Sequence, residues 1–124
     1  MKFYNLSNHP SVSWKPEQIQ AAREIVGPSF GGVEDVKHPN IDPRSTTEEV
    51  GTLAERVCEA IPNGSDVMLM GDFTFFLQAL AVLKERGCRI WLATTERNTV
   101  ETLLPNGDIK KEQVFSFVTF RRAP

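Results

Sequence analysis

Val67-Met68-Leu69-Met70 is a continuous apolar run without alternation, and it stands between two helical patterns. A strand that buries one face alternates apolar and polar residues, whereas an unbroken run belongs in a parallel sheet covered by helices on both faces. This run therefore restricts the chain to α/β architectures. Upstream, Val50, Leu53, Ala54, Val57, Cys58 and Ile61 form one helical stripe. Ser45-x-x-Glu48 and Thr46-x-x-Glu49 are both capping boxes able to start that helix, and Pro62-Asn63-Gly64 ends it. Downstream, Gly71-Asp72-Phe73-Thr74 leads into a helix from Phe75 to about Arg86, apolar on most sides and stopped by Gly87. Cys88 to Thr94 reads as the next strand.

The N-terminal part repeats the alternation. Lys2 to Leu6 is a short, aromatic-rich strand halted by Ser7-Asn8-His9-Pro10. Pro16 suits an early helical position, and Ile19, Ala22, Ile25 and Val26 recur at helical spacing until Gly27-Pro28. Val33 and Val36 mark a weak strand at a sheet edge. The C-terminal part departs from the pattern: Val100 to Leu104, a turn at Pro105-Asn106-Gly107-Asp108, and Val114 to Phe120 predict an antiparallel hairpin. The expected fold is a small doubly wound, mostly parallel sheet of strand order 2-1-3-4, with the hairpin at one side.

A chain of 124 residues has room for one such domain, spanning 1–124, and buries enough surface to need neither disulfides nor metal. Fourteen Lys and Arg against sixteen Asp and Glu argue against a partner held by net positive charge, whether duplex DNA or an anionic membrane. Cys58 and Cys88 lack any C-x-x-C spacing and fit a reducing compartment. No apolar stretch approaches the roughly 20 residues of a membrane span, and Met1-Lys2 leads directly into a strand, so a cytoplasmic location is expected.

In doubly wound sheets ligands bind beyond the carboxyl ends of the strands, where the winding reverses. Three polar loops are expected there: Ser7-Asn8-His9, Gly71-Asp72-Phe73-Thr74 and Thr94-Thr95-Glu96-Arg97. Gly71 permits close backbone approach, and the helix beginning near Thr74 offers free N–H groups to a phosphate. Asp72 or Thr74 serves equally well as a simple helix cap. Arg97 can pair with a phosphate or orient a ribose, or else pair with Glu96 or Glu101 at the surface. Ser7, Asn8 and His9 supply groups that read a base edge or a sugar, and His9 can move a proton near neutral pH, although a loop histidine before proline also serves as structure.

Other chemistry finds less support. His9, His38, Cys58 and Cys88 have no metal-ligand spacing, so no metal and no cofactor are expected. Trp14 and Trp91 read as packing residues. G-x-S-x-G and G-x-G-x-x-G are both missing, as is a paired Cys-His nucleophile.

Tyr4-Asn5-Leu6-Ser7-Asn8-His9-Pro10, Gly71-Asp72-Phe73-Thr74, Ala93-Thr94-Thr95-Glu96-Arg97 and Phe117-Val118-Thr119-Phe120-Arg121 occur in this order over nearly the whole chain. In this the chain resembles the small single-domain CRISPR-associated proteins related to CARF (CRISPR-associated Rossmann-fold) domains, a group that includes stand-alone ring nucleases. The resemblance implies binding of a cyclic oligoadenylate second messenger in the cleft of a homodimer, with Asn8, Gly71, Asp72, Phe73, Thr74, Thr95 and Glu96 at the ligand. In the ring nucleases it also implies cleavage without metal. The ligand's own 2'-hydroxyl attacks the neighbouring phosphorus and leaves a 2',3'-cyclic phosphate, so the protein need only align the groups and stabilise charge. Ser7, His9 and Arg97 are the residues to which that chemistry would fall. These loops carry no lysine, where some ring nucleases use one. A non-catalytic sensing module, or another nucleotide-processing enzyme on the same fold, stays open because fold does not dictate function. Phe115, Phe117 and Phe120 either form part of a dimer contact or complete the core.

Overall fold

The computed structural model describes all residues, 1–124. β1 (Phe3–Leu6) and β3 (Asp66–Leu69) are buried along their whole length and pair in parallel, from Phe3 with Asp66 to Leu6 with Leu69. β2 (Val33–Asp35) is a short, poorly covered strand beside β1. β4 (Arg89–Leu103) continues the sheet in parallel on the far side of β3, and β5 (Ile109–Arg122) runs antiparallel to β4. The order is β2-β1-β3-β4-β5, the mostly parallel α/β sheet that the alternation of patterns predicts.

The side chains of the sheet separate into two layers. On one face α1 (Pro16–Val26) covers Phe3, Met68 and Phe120 through Ala22. On the other, α2 (Thr47–Cys58) and α3 (Phe73–Glu85) enclose Tyr4, Leu6, Val67, Leu69 and Ile90. Winding therefore reverses between β1 and β3. No helix is long and apolar enough to cross a membrane.

Local chemistry explains the element ends. Of the two capping boxes only that of Thr46 and Glu49 forms: Thr46 Oγ1 accepts the Glu49 N–H at 3.2 Å, and the Glu49 carboxylate accepts the Thr46 N–H at 3.0 Å. These bonds hold the Glu49 carboxyl below its usual range. The helix stops at Cys58, so Ile61 is buried from the following turn rather than from the stripe. There the Arg86 guanidinium donates to the Ile61 carbonyl and to the Cys58 carbonyl, which also accepts the Ile61 N–H at 3.0 Å. α3 begins at Phe73, two residues earlier than the pattern suggests, because Asp72 supplies the cap.

Burial pushes the Cys58 thiol up to about 11, even with the Arg86 guanidinium beside it. Native protein at pH 8 is accordingly expected to leave Cys58 unmodified by iodoacetamide and to label it after unfolding in urea. Labelling of Cys58 in the native state would contradict its burial.

The largest departure from the sequence reading is at the C-terminus. β4 does not end at Thr94, and no separate strand begins at Val100 or Val114. Both strands run unbroken, with one bulge at Thr94/Thr95. Thr94 Oγ1 bridges the irregularity, donating to the Thr119 carbonyl at 3.1 Å and accepting the Thr119 N–H at 3.2 Å. β3 pairs with β4 only as far as Trp91, so beyond that point β4 has β5 as its single neighbour. The result is a two-stranded arm, Thr95–Leu103 against Ile109–Phe117, turned at Asn106 and Gly107.

Candidate functional site

Two clefts open where the loops leave the carboxyl ends of the parallel strands. The first, about 580 Å³, lies between the loop after β1 and the segment after β2, and Ser7, Asn8, Asp35, Lys37, His38 and Asp72 contribute to it. Its floor is Asn5, a buried amide in an otherwise apolar strand. Asn5 Nδ2 donates to the His9 carbonyl at 2.8 Å and to Asp35 Oδ1 at 2.9 Å, and its Oδ1 accepts from Ser7 Oγ at 2.7 Å. Ser7 Oγ in turn accepts the His9 N–H at 3.2 Å, and the Asp35 carboxylate accepts the Ser11 N–H at 3.0 Å. One buried amide thus ties the loop after β1 to the end of β2. A polar residue in a buried strand is costly unless satisfied, and here its bonds set the loop's path.

The turn after β3 closes the cleft. Gly71 sits at φ +149°, and a Cβ there would lie 2.5 Å from His38 Nε2, so only glycine fits. The His38 ring packs edge-on against Phe75 with centroids 5.3 Å apart. Its Nε2 is buried without a hydrogen-bond partner. Asp72 accepts the Phe75 N–H at 3.0 Å, which makes it the cap of α3. The carboxylate occupies the position a phosphate would take at that helix end.

The second cleft, about 340 Å³, lies on the α1 side of the sheet and is framed by His9, Trp14, Lys15, Thr95, Phe115 and Phe117. Met68 and Met70 from the end of β3 form part of its wall. It is aromatic and carries one cation, Lys15. The N-cap of α1 is Lys15, with no side chain capping the helix, and the residue at the first helical position is Pro16. Trp14 Nε1 is buried with no acceptor.

The residues singled out from the sequence therefore part company. Ser7, Asn8 and Asp72 line the first cleft and His9 and Thr95 the second, while Gly71 lies between β3 and α3 against His38. Phe73 and Thr74 are exposed on the first turn of α3. Thr95, Glu96 and Arg97 do not form a loop at the strand end, because they are paired within β4 with Phe117, Ser116 and Phe115. The Arg97 guanidinium lies 5.2 Å from the centre of the Phe115 ring, and Arg97 lines neither cleft.

Asn5, Asp35, Lys37, His38, Trp14 and Lys15 escaped the sequence reading as site residues. Asn5 carried the one usable signal, a lone amide inside an apolar strand. The others acquire their positions only when the segment after β2 folds over the turn after β3, and when α1 packs beside β4. No group of three or more His, Cys, Asp or Glu side chains is arranged to hold a metal ion.

No curated protein and no solved structure matches the chain. A family model does, over residues 1–121, which take in both clefts and all but the end of β5: the chain belongs to the family described as uncharacterized protein MJ1673.

Proposed function

We propose that the chain binds a cyclic oligoadenylate at the carboxyl edge of its sheet, as a homodimer, and cleaves it without metal. The observation that carries this reading is the second cleft. Lys15 provides a positive charge and His9 an imidazole, both suited to phosphate oxygens. Trp14, Phe115 and Phe117 provide apolar faces on which an adenine can stack. A cleft of this size holds about one nucleotide, so a ring of four is shared between two chains related by a two-fold axis. Asn8 lines the first cleft across the loop and is the group there free to meet a ribose hydroxyl, since the Ser7 hydroxyl is held between Asn5 and the His9 N–H. His9 is the one titratable imidazole in the second cleft and is the group available to move a proton.

A sensing module that binds without cleaving has its own support. The cap of α3 is taken by Asp72, and Arg97 stacks on Phe115 outside both clefts, which leaves fewer groups to stabilise a transition state. Calorimetry with cyclic tetra-adenylate, followed by chromatography of the products in EDTA, separates the two readings. Binding is expected, with a linear product ending in a 2',3'-cyclic phosphate. Lys15→Ala is expected to weaken binding about tenfold, the scale of one partly exposed charge-assisted hydrogen bond. Cleavage that needs added magnesium or manganese would overturn the metal-free mechanism. Absence of binding by the folded wild type would overturn the assignment altogether.

A further inference from the structure

Asp35 ends β2, the strand beside β1, and lines the first cleft. Its carboxylate is exposed and yet held in place, because Oδ1 accepts from Asn5 Nδ2 at 2.9 Å and from the Ser11 N–H at 3.0 Å. Oδ2 shares only that same N–H, at 3.2 Å. No lysine or arginine pairs with Asp35. A carboxylate so fixed, with acceptor capacity unused, is prepared for hydroxyl donors. In doubly wound sheets that bind nucleotides, an acidic side chain past the second strand accepts from the ribose hydroxyls, and Asp35 has that place.

The rest of the cleft suits the uncharged part of a nucleotide. Lys37 is its one ammonium against the carboxylates of Asp35 and Asp72, so a phosphate is disfavoured there. Asp72 also caps α3, the helix that starts at the cleft. The glycine-rich turn that would cradle a diphosphate is missing from the loop after β1. Val36 and Ile41, half-buried against the core, give a base an apolar wall. From Lys37 to Ile41 no backbone N–H or carbonyl forms a hydrogen bond within the chain, whereas the Val36 N–H just before them is bonded to the Asn5 carbonyl at 2.9 Å. These groups are open to a base edge. The volume of about 580 Å³ lies within the roughly 300–1,000 Å³ of small-ligand sites.

We infer that the first cleft binds a ribonucleoside, with Asp35 accepting from both ribose hydroxyls and the base lying along the segment from Val36 to Ile41. A ring joined through its 3'-oxygens offers one free hydroxyl per ribose, which can meet Asn8 but cannot supply the pair. The site therefore goes beyond the function proposed above. Its ligand carries a free vicinal diol, and it stands whether or not the second cleft takes a cyclic oligoadenylate.

Titration of the whole chain with each of the four common ribonucleosides, followed by amide NMR and hydrogen exchange, tests the site. At least one is expected to give saturable shifts at Asn8, Lys37, His38, Asn40 and Ile41, with slower exchange between Lys37 and Ile41. Its 2'-deoxy and 3'-deoxy counterparts, each lacking one donor to Asp35, are expected to bind at least about tenfold more weakly. Asp35→Asn leaves an oxygen for the Ser11 N–H and is expected to narrow that difference to less than about threefold. The analogues act on the wild-type chain, so the comparison does not hinge on how the variant folds. Absence of saturable shifts with all four would overturn the inference, as would shifts confined to the second cleft or deoxy counterparts that bind equally well. Cyclic tetra-adenylate that fails to bind a chain which takes a ribonucleoside would count against the function proposed above and leave this site standing.

Discussion

An aspartate in place of Asn5 is expected to destabilise the fold by about 3 kcal/mol at neutral pH and to loosen the loop that lines both clefts. Asn5 is buried and gives its two amide protons to the His9 carbonyl and the Asp35 carboxylate. A carboxylate of the same shape presents lone pairs to both. The charge repulsion is partly screened because Asp35 is exposed, which keeps the cost below that of a fully buried pair. The sign of the pH dependence follows. Two facing carboxylates can share one proton, so the folded-state pKa of the pair rises above the unfolded value. Folded variant then binds more protons than unfolded variant, and the stabilisation by that proton is present at low pH and lost as pH rises through the raised pKa. The gap in urea midpoint between variant and wild type should therefore be smaller at pH 5 than at pH 7.5. Asn5→Leu removes the same bonds without adding charge and should show a gap that does not depend on pH. An Asn5→Asp gap equally independent of pH would mean that Asn5 and Asp35 do not meet as described.

Gly71→Ala is the second large effect, expected to cost about 3 kcal/mol and to lower the thermal midpoint by about 10 °C. Two causes add. A side chain at φ +149° is strained, and its Cβ would press to 2.5 Å from His38 Nε2. The imidazole cannot swing aside freely, because its ring is held against Phe75 and its Nε2 is buried. His38→Ala removes the second cause and leaves the first. In a double-mutant cycle, the two substitutions together should therefore cost about 1 kcal/mol less than their separate effects predict. Full additivity would show that strain alone is responsible, and a Gly71→Ala protein as stable as wild type would show that the turn after β3 is not packed as described.

The strand and helix order was legible in the residues because it depends on short-range patterns. Val67 to Met70 had to be a covered strand, Val50 to Cys58 an amphipathic helix, and Gly87 a stop, and each followed from the spacing of apolar residues and from backbone chemistry. The order β2-β1-β3-β4 followed from those elements and the rules for parallel connections. The residues also pointed to the loops after β1 and β3 as the edge where clefts open, since polar residues there interrupt strands that are otherwise apolar.

What the pattern alone left open was decided by pairing between distant segments. Thr94 to Arg97 read as a loop because polar residues followed an apolar strand, yet Thr94 bonds to Thr119 and the ladder continues to Leu103. A two-stranded arm exposed on both faces has no apolar alternation to announce it, so only cross-strand hydrogen bonding reveals its length. The site was divided for the same reason. Ser7 and His9 are two residues apart but line different clefts, because Asn5 fixes the loop between them through Asp35, thirty positions away. Local spacing determines which residues form a strand or a helix, since that depends on neighbours along the chain. Which cleft a side chain faces depends on bonds that close only when remote strands are brought side by side, and in this protein those bonds run through β2 and β5.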